Sequence, residues 1–238
     1  MPDSQSHAGS HPHSTGTGSG GTDVSRPHRP AVPGRGLLLC FDQFVRLSMA
    51  GVWVRGVIPR EPVVWAMNHH HWWDAFASGS VLRTVGQFPT VLVSDDNLAS
   101  FPLLKAIDAV PAGRSAEAVE ALRGGRTLVI MPEGAMLPPA ELGPVRGGAG
   151  RIASAAGVPL VPVALRVVVR GRQHPEVYID VGAPVAAQEL QRRLSTSLAE
   201  LDATIATARV THPLPGYRLA VPGRSSVNDR LAALVRRR

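Results

Sequence analysis

Residues 67 to 76 of the chain read Met-Asn-His-His-His-Trp-Trp-Asp-Ala-Phe, so three of its nine histidines and two of its four tryptophans gather beside one carboxylate. His69 and Asp74 stand five residues apart. A tight turn into a helix can close that distance until the carboxylate accepts a hydrogen bond from one imidazole nitrogen, leaving the other nitrogen to take a proton. An imidazole titrates near neutrality, and a carboxylate behind it fixes the tautomer and stabilises the imidazolium. Such a pair can deprotonate a hydroxyl for attack on an ester or thioester. Competing assignments lie in the same stretch. His70 or His71 could be the base, and His69, His71 and Asp74 could together ligate a metal, since alternate residues of an extended segment face the same way. No third strong ligand follows at suitable local spacing, so no metal is expected, while the base stays open among the three histidines.

The turn needs a strand before it and a helix after it. Val63 to Met67 is an apolar run that reads as a buried strand, and Asp74 to Leu82 reads as a helix whose N-terminal dipole also suits the carboxylate. Strands are expected at Thr90 to Val93, Ala109-Val110, Thr127 to Met131, Leu160 to Val169 and Val177 to Val181, with Pro162 marking an edge or bulge. Helices are expected near Leu98 to Ile107, Ser115 to Leu122 (stopped by Gly124-Gly125), Gly148 to Ala156, Gln188 to Ala208 and Val227 to Val235. Strands alternating with helices predict an α/β fold, a mixed but largely parallel central sheet flanked by helices. Ligands bind at the strand-to-helix turns of such sheets. His69, Arg114 and Glu133 each follow an expected strand, so parallel neighbours would gather a base, a cation and a carboxylate at one sheet edge. Gly134 permits a close backbone approach, and Glu133 could bond an acceptor hydroxyl or orient Arg114.

Asn68-His69-x4-Asp74 resembles the first motif of the glycerolipid acyltransferases, the family that includes the lysophosphatidic acid acyltransferases. Ile107 to Arg114 is similar to that family's second block, Met131-Pro132-Glu133-Gly134 to its third and Val158 to Val163 to its fourth, in the family order over roughly residues 36 to 182. The resemblance implies transfer of a fatty acyl group from a coenzyme A or acyl carrier protein thioester to a lipid-like hydroxyl. His69 and Asp74 would be catalytic, Arg114, Glu133 and Gly134 would bind the acceptor, and Asn68, His71 and Arg146 would support them. The thioester is a co-substrate, and no bound cofactor is implied. Attack would be direct, because neither Ser nor Cys sits in a nucleophile motif and Cys40 lies outside the blocks. Trp72 and Trp73 would pack at the mouth of an acyl channel. The family's third block commonly continues with a small hydroxyl residue and an arginine that holds the acceptor's phosphate, whereas Ala135 and Met136 stand here. The expected acceptor therefore has an uncharged or differently placed headgroup, with lysophosphatidic acid second. Arg146 and Arg151, beyond a Pro-rich loop, are the cations that could substitute. Two further readings are a non-catalytic membrane-binding module, which would not need an intact His–Asp pair, and a metal-dependent hydrolase built on His69, His71 and Asp74.

The 238 residues, 44% of them hydrophobic, suffice for one sizeable domain with tails. A formal charge of +7 permits contact with anionic lipids, an acidic carrier protein or a phosphorylated substrate, and no nucleic-acid motif accompanies it. The single cysteine, Cys40, is expected to be a small packing residue in a reducing compartment. Residues 1–35 read as a Ser/Gly/His/Pro-rich tail, 36–60 as an amphipathic helical segment facing the membrane, 61–210 as the acyltransferase domain and 211–238 as a basic extension. Within 36–60, Leu37, Phe41, Phe44, Val45, Met49 and Val52 recur at helical spacing, with Asp42, Gln43 and Arg46 on the other side, a pattern that suits a core-facing helix or a lipid interface. No secretory signal is visible, and no stretch reaches the ~18 apolar residues of a spanning helix. The expected location is cytoplasmic, peripheral on the inner face of the cell membrane.

Overall fold

The computed structural model describes residues 32–227. Residues 1–31 of the expected 1–35 tail and the expected terminal helix beyond Val227 lie outside the described residues, while residues 32–35, expected in the tail, are helical. An eight-stranded sheet runs in the order β4-β3-β5-β2-β6-β7-β1-β8. Its strands are β1 (Gly51–Arg55), β2 (Val64–Met67), β3 (Thr90–Val93), β4 (Val110–Pro111), β5 (Leu128–Ile130), β6 (Leu160–Val168), β7 (Glu176–Val181) and β8 (Arg218–Pro222). The helices are α1 (Val32–Ser48), α2 (Asp74–Arg83), α3 (Asp95–Ser100), α4 (Leu103–Ala106), α5 (Ser115–Arg123), α6 (Gly148–Ala156) and α7 (Leu190–Thr207). From β4 to β6 every pairing is parallel, as is β1 with β7, while β6 with β7 and β1 with β8 are antiparallel. The carboxyl ends of β4, β3, β5, β2 and β6 therefore share one edge.

Alternation along the strands sorts the core into layers. Trp65 and Met67 of β2 pack with Val45 and Met49 of α1 and with Ala77, Val81 and Leu82 of α2. Val64 and Ala66, pointing the other way, pack with Ala118 and Leu122 of α5, Ile152 and Ala153 of α6, and Leu190 and Leu194 of α7. A strand buried on both faces shows no polar alternation, which is why β2, β5 and β6 read as continuous apolar runs.

Several sequence expectations change. The helical spacing over 37–54 holds only to Ser48, because Val52 and Val54 enter β1, which fills the slot between β7 and β8. A Cβ at Gly51 would lie 2.9 Å from the Trp53 ring and 2.8 Å from Leu219, so a larger residue there would have to displace those side chains. Residues 218–222 join the same sheet as β8, so the segments on either side of 61–210 complete the domain rather than flank it. Asp42 faces α2 instead of solvent, accepting from Ser80 Oγ at 2.6 Å and Arg83 Nε at 2.8 Å. Cys40 is exposed, because α1 turns Leu38, Val45 and Met49 inward and Cys40 falls on the opposite side. The single helix expected near 98–107 is two short ones, α3 and α4, broken by Pro102. Pro162 lies inside the sheet, where the β6–β7 ladder ends and its carbonyl accepts from Gly182 N at 2.9 Å.

Candidate active site

Beyond Met67 the main chain leaves the sheet, and Asn68 controls how. Its buried amide donates from Nδ2 to the Leu165 carbonyl at 3.0 Å and accepts from Leu165 N at 2.8 Å. The side chain thus copies one more rung of the β2–β6 ladder and lets the backbone turn upward toward His69.

Asp74 opens α2 and is wholly buried. Its Oδ2 lies 3.1 Å from His69 Nδ1 and accepts from the main-chain nitrogens of His70 at 2.9 Å and His71 at 2.8 Å. A carboxylate only accepts, so His69 Nδ1 carries the proton and Nε2 is left basic. The His69 side chain is 24% exposed, so the imidazole is partly open to solvent. His71 turns back instead, its Nδ1 accepting from Trp73 N at 3.2 Å. Among the described residues no three His, Cys, Asp or Glu side chains are grouped to hold a metal, which removes geometric support from the hydrolase reading on His69, His71 and Asp74.

Glu133 follows β5, the parallel neighbour of β2, and it meets His69 through the backbone. Oε2 accepts from His69 N at 2.7 Å and Oε1 from Gly143 N at 2.9 Å. Both oxygens are committed to main-chain donors, so Glu133 does not orient Arg114. The next residue, Gly134, has φ +75°, and a Cβ there would lie 2.7 Å from Cζ of Arg146. The chain returns to this turn through Arg146 N to the Pro132 carbonyl at 2.9 Å and Leu137 N to the His69 carbonyl at 2.9 Å. Arg146 is exposed, and its guanidinium rests on Gly134 without an ion pair among the described residues. Arg114 sits on the same edge but three strand positions from β2, about 14 Å away at normal strand spacing. It is exposed and pairs with Glu117 at 2.9 Å. The expected trio is therefore a close pair, His69 and Glu133, with one distant cation.

Arg166 escaped the sequence reading, and His70, weighed there only as an alternative base, is bound to it. His70 is buried, and Arg166 NH1 donates to its Nδ1. Burial, followed by the nearby Arg166 charge, holds the His70 imidazole below the ordinary histidine pKa. Arg166 is itself buried and bidentate on Asp202 of α7, at 2.7 Å for both bonds. A lone arginine within an otherwise apolar strand was the available signal.

Above the turn lies an aromatic cluster. Phe44 of α1 packs against Trp72 and Trp73 at ring separations of 6.2 and 4.8 Å, and Trp72 against Phe76 at 4.5 Å. Trp72 remains exposed, as do Leu39, Phe44 and Leu47 of α1.

An imidazole backed by a buried carboxylate thus stands at the carboxyl edge of a largely parallel α/β sheet. Residues 52–166 match the family described as Acyltransferase, the family that the four sequence blocks resemble. No curated protein matches the chain. The crystal structure of the 1-acyl-sn-glycerophosphate (LPA) acyltransferase PlsC from Thermotoga maritima has a similar fold, with a TM-score of 0.52 and 18% identity over 74% of this chain and 82% of that one.

Proposed function

We propose that this protein transfers a fatty acyl group from a coenzyme A or acyl carrier protein thioester to the hydroxyl of a lipid acceptor. The observation that carries the reading is the His69–Asp74 pair, 3.1 Å apart with the carboxylate fully buried and the imidazole partly exposed. His69 Nε2 takes the hydroxyl proton as the oxygen attacks the thioester carbonyl. Asp74 stabilises the imidazolium that forms. The carbon–sulfur bond then breaks, and the imidazolium returns its proton to the leaving thiolate. No side chain needs to carry the acyl group, because holding both substrates at the edge supplies proximity.

Arg146 informs the acceptor. Ala135 and Met136 directly follow Gly134, and the structure lays the exposed Arg146 guanidinium on that glycine, beside the turn that holds His69. This favours a phosphorylated acceptor over an uncharged one, in keeping with the substrate named for the PlsC neighbour. The exposed apolar residues of α1 and Trp72 suit contact with one leaflet at the inner face of the cell membrane. No helix among the described residues is long and apolar enough to cross a membrane. The test is incubation of pure protein with acyl-CoA and acyl carrier protein thioesters and a panel of lipid acceptors, followed by mass analysis. Acylated acceptor with one thiol released per product is expected. Thioester hydrolysis without transfer to any lipid hydroxyl would overturn the reading.

A further inference from the structure

Behind the dyad a second set of polar groups runs from the site to the far helix layer, and no step of the proposed reaction uses it. Asp202 of α7 holds Arg166 through two 2.7 Å bonds, and Arg166 also donates to the Ala140 carbonyl at 2.8 Å. Arg166 NH1 then donates to His70 Nδ1. A guanidinium cannot accept, so this contact requires an unprotonated Nδ1 and places the ring proton on Nε2. His70 Nε2 faces Glu133 Oε1 at 3.5 Å, within a small side-chain adjustment of a hydrogen bond, and it is buried with no other partner. Glu133 in turn carries His69 N and Gly143 N.

We propose that His70 is a positioning residue of the acyl-transfer site: pinned by Arg166 as the Nε2–H tautomer, it fixes the Glu133 carboxylate on which the His69 backbone hangs. The pinning would also explain why consecutive histidines face opposite ways. Asp74 collects the His69 ring and the His70 and His71 amides from one side, while Arg166 draws the His70 ring inward from the other. An apolar residue at position 70 would strand the Arg166 donor and remove the Nε2–H that faces Glu133. His69 would keep its carboxylate partner but lose its fixed height above the sheet, and misplacement of a base on the scale of 1 Å costs rate more than binding.

The inference rests on His69 as the base, and its test has two arms. The first needs no substrate: long-range ¹⁵N–¹H correlation spectra of the whole protein, with His70 assigned by comparison with His70→Gln. A pyrrole-type Nε2 and a pyridine-type Nδ1 are expected, and a protonated Nδ1 would overturn the proposal. The second arm is kinetic. His70→Leu should lower kcat on the order of 10-fold to 100-fold with KM for acyl-CoA unchanged. His70→Gln, whose amide can both accept and donate, should retain most of the activity. In the Glu133→Gln background, His70→Leu should add little further loss, because both changes break one chain. Fully additive losses, or equal losses in His70→Leu and His70→Gln, would overturn the proposal. Absence of acyl transfer by the native protein would instead sink the functional reading, while the spectra would still report the tautomer.

Discussion

The sheet edge has a centre and a flank, and they are built in opposite ways. At the centre, over β2 and β5, Asp74 accepts three hydrogen bonds and Glu133 two, all inside the protein. At the flank, over β3 and β4, helices α3 and α4 contain no buried residue, and the exposed Arg114 side chain pairs with Glu117, three residues along the chain. Hydrogen bonds to a buried charge are worth about 1.5–3 kcal/mol each, whereas an exposed pair one turn apart on a helix is worth about 0.3–0.5 kcal/mol. Thermal energy can move Arg114 but not Asp74. The centre is fixed before substrate arrives, and the flank, together with Arg146, is left to be arranged by the substrate. Preorganised groups suit the chemical step and mobile cations suit recognition, so substitutions in the two regions should separate into rate and binding effects.

The sharpest way to break this comparison is Asp74→Asn. Oδ1 of Asp74 is buried without a partner, so an asparagine can place its amide nitrogen there and keep its oxygen toward His69, His70 and His71. The turn should survive, as circular dichroism would show, while kcat falls on the order of 10³-fold or more because the imidazolium loses its counter-charge. Activity within a few-fold of native would mean that the carboxylate only shapes the turn.

Glu133→Gln comes next. Its amide would present a donor to a main-chain N–H that now has an acceptor, so kcat should drop on the order of 10-fold to 100-fold with acceptor KM little changed. A selective rise in acceptor KM would return Glu133 to the acceptor-binding role expected from sequence. For the flank, Arg146→Ala should raise KM for a phosphorylated acceptor by about tenfold and leave kcat alone, with a smaller rise for Arg114→Ala. An effect of Arg146→Ala on kcat alone would place that residue with the centre.

How much of this was legible in the sequence follows the same division. The dyad was legible because its parts are five residues apart and a helix start sets the turn. Glu133 was placed at the right edge because β5 is a clean apolar run beside β2. Its partners were not legible, since His69 N and Gly143 N are backbone groups whose approach depends on a folded loop. The Arg166–His70 contact joins residues 96 apart and needs the β2–β6 pairing before it exists. Strand β1 was hidden because Val45, Met49 and Val52 continue one helical spacing, and only the open place between β7 and β8 decides against it. Arg146 sat beyond a Pro-rich loop whose return to Gly134 sequence spacing does not encode.

The smallest expected effect concerns stability. His70 has its pKa held below the ordinary value of 6.5, so the unfolded chain binds a proton there that the folded chain refuses. Stability is then full above that value and declines as pH falls through it toward the lower folded value. The urea midpoint should drop between about pH 7.5 and about pH 5.5, and the drop should shrink in His70→Gln. An unchanged drop in that variant would assign the proton to another group.

The central claim is that the fixed His69–Asp74 centre performs the transfer. Its most direct test is the rate of acyl-CoA-dependent acylation of a lipid hydroxyl, read by product mass, in native protein, His69→Ala and His71→Ala side by side. The account predicts loss on the order of 10³-fold in His69→Ala and substantial activity in His71→Ala, with both variants folded. An active His69→Ala beside an inactive His71→Ala would contradict it and move the base two residues along the chain.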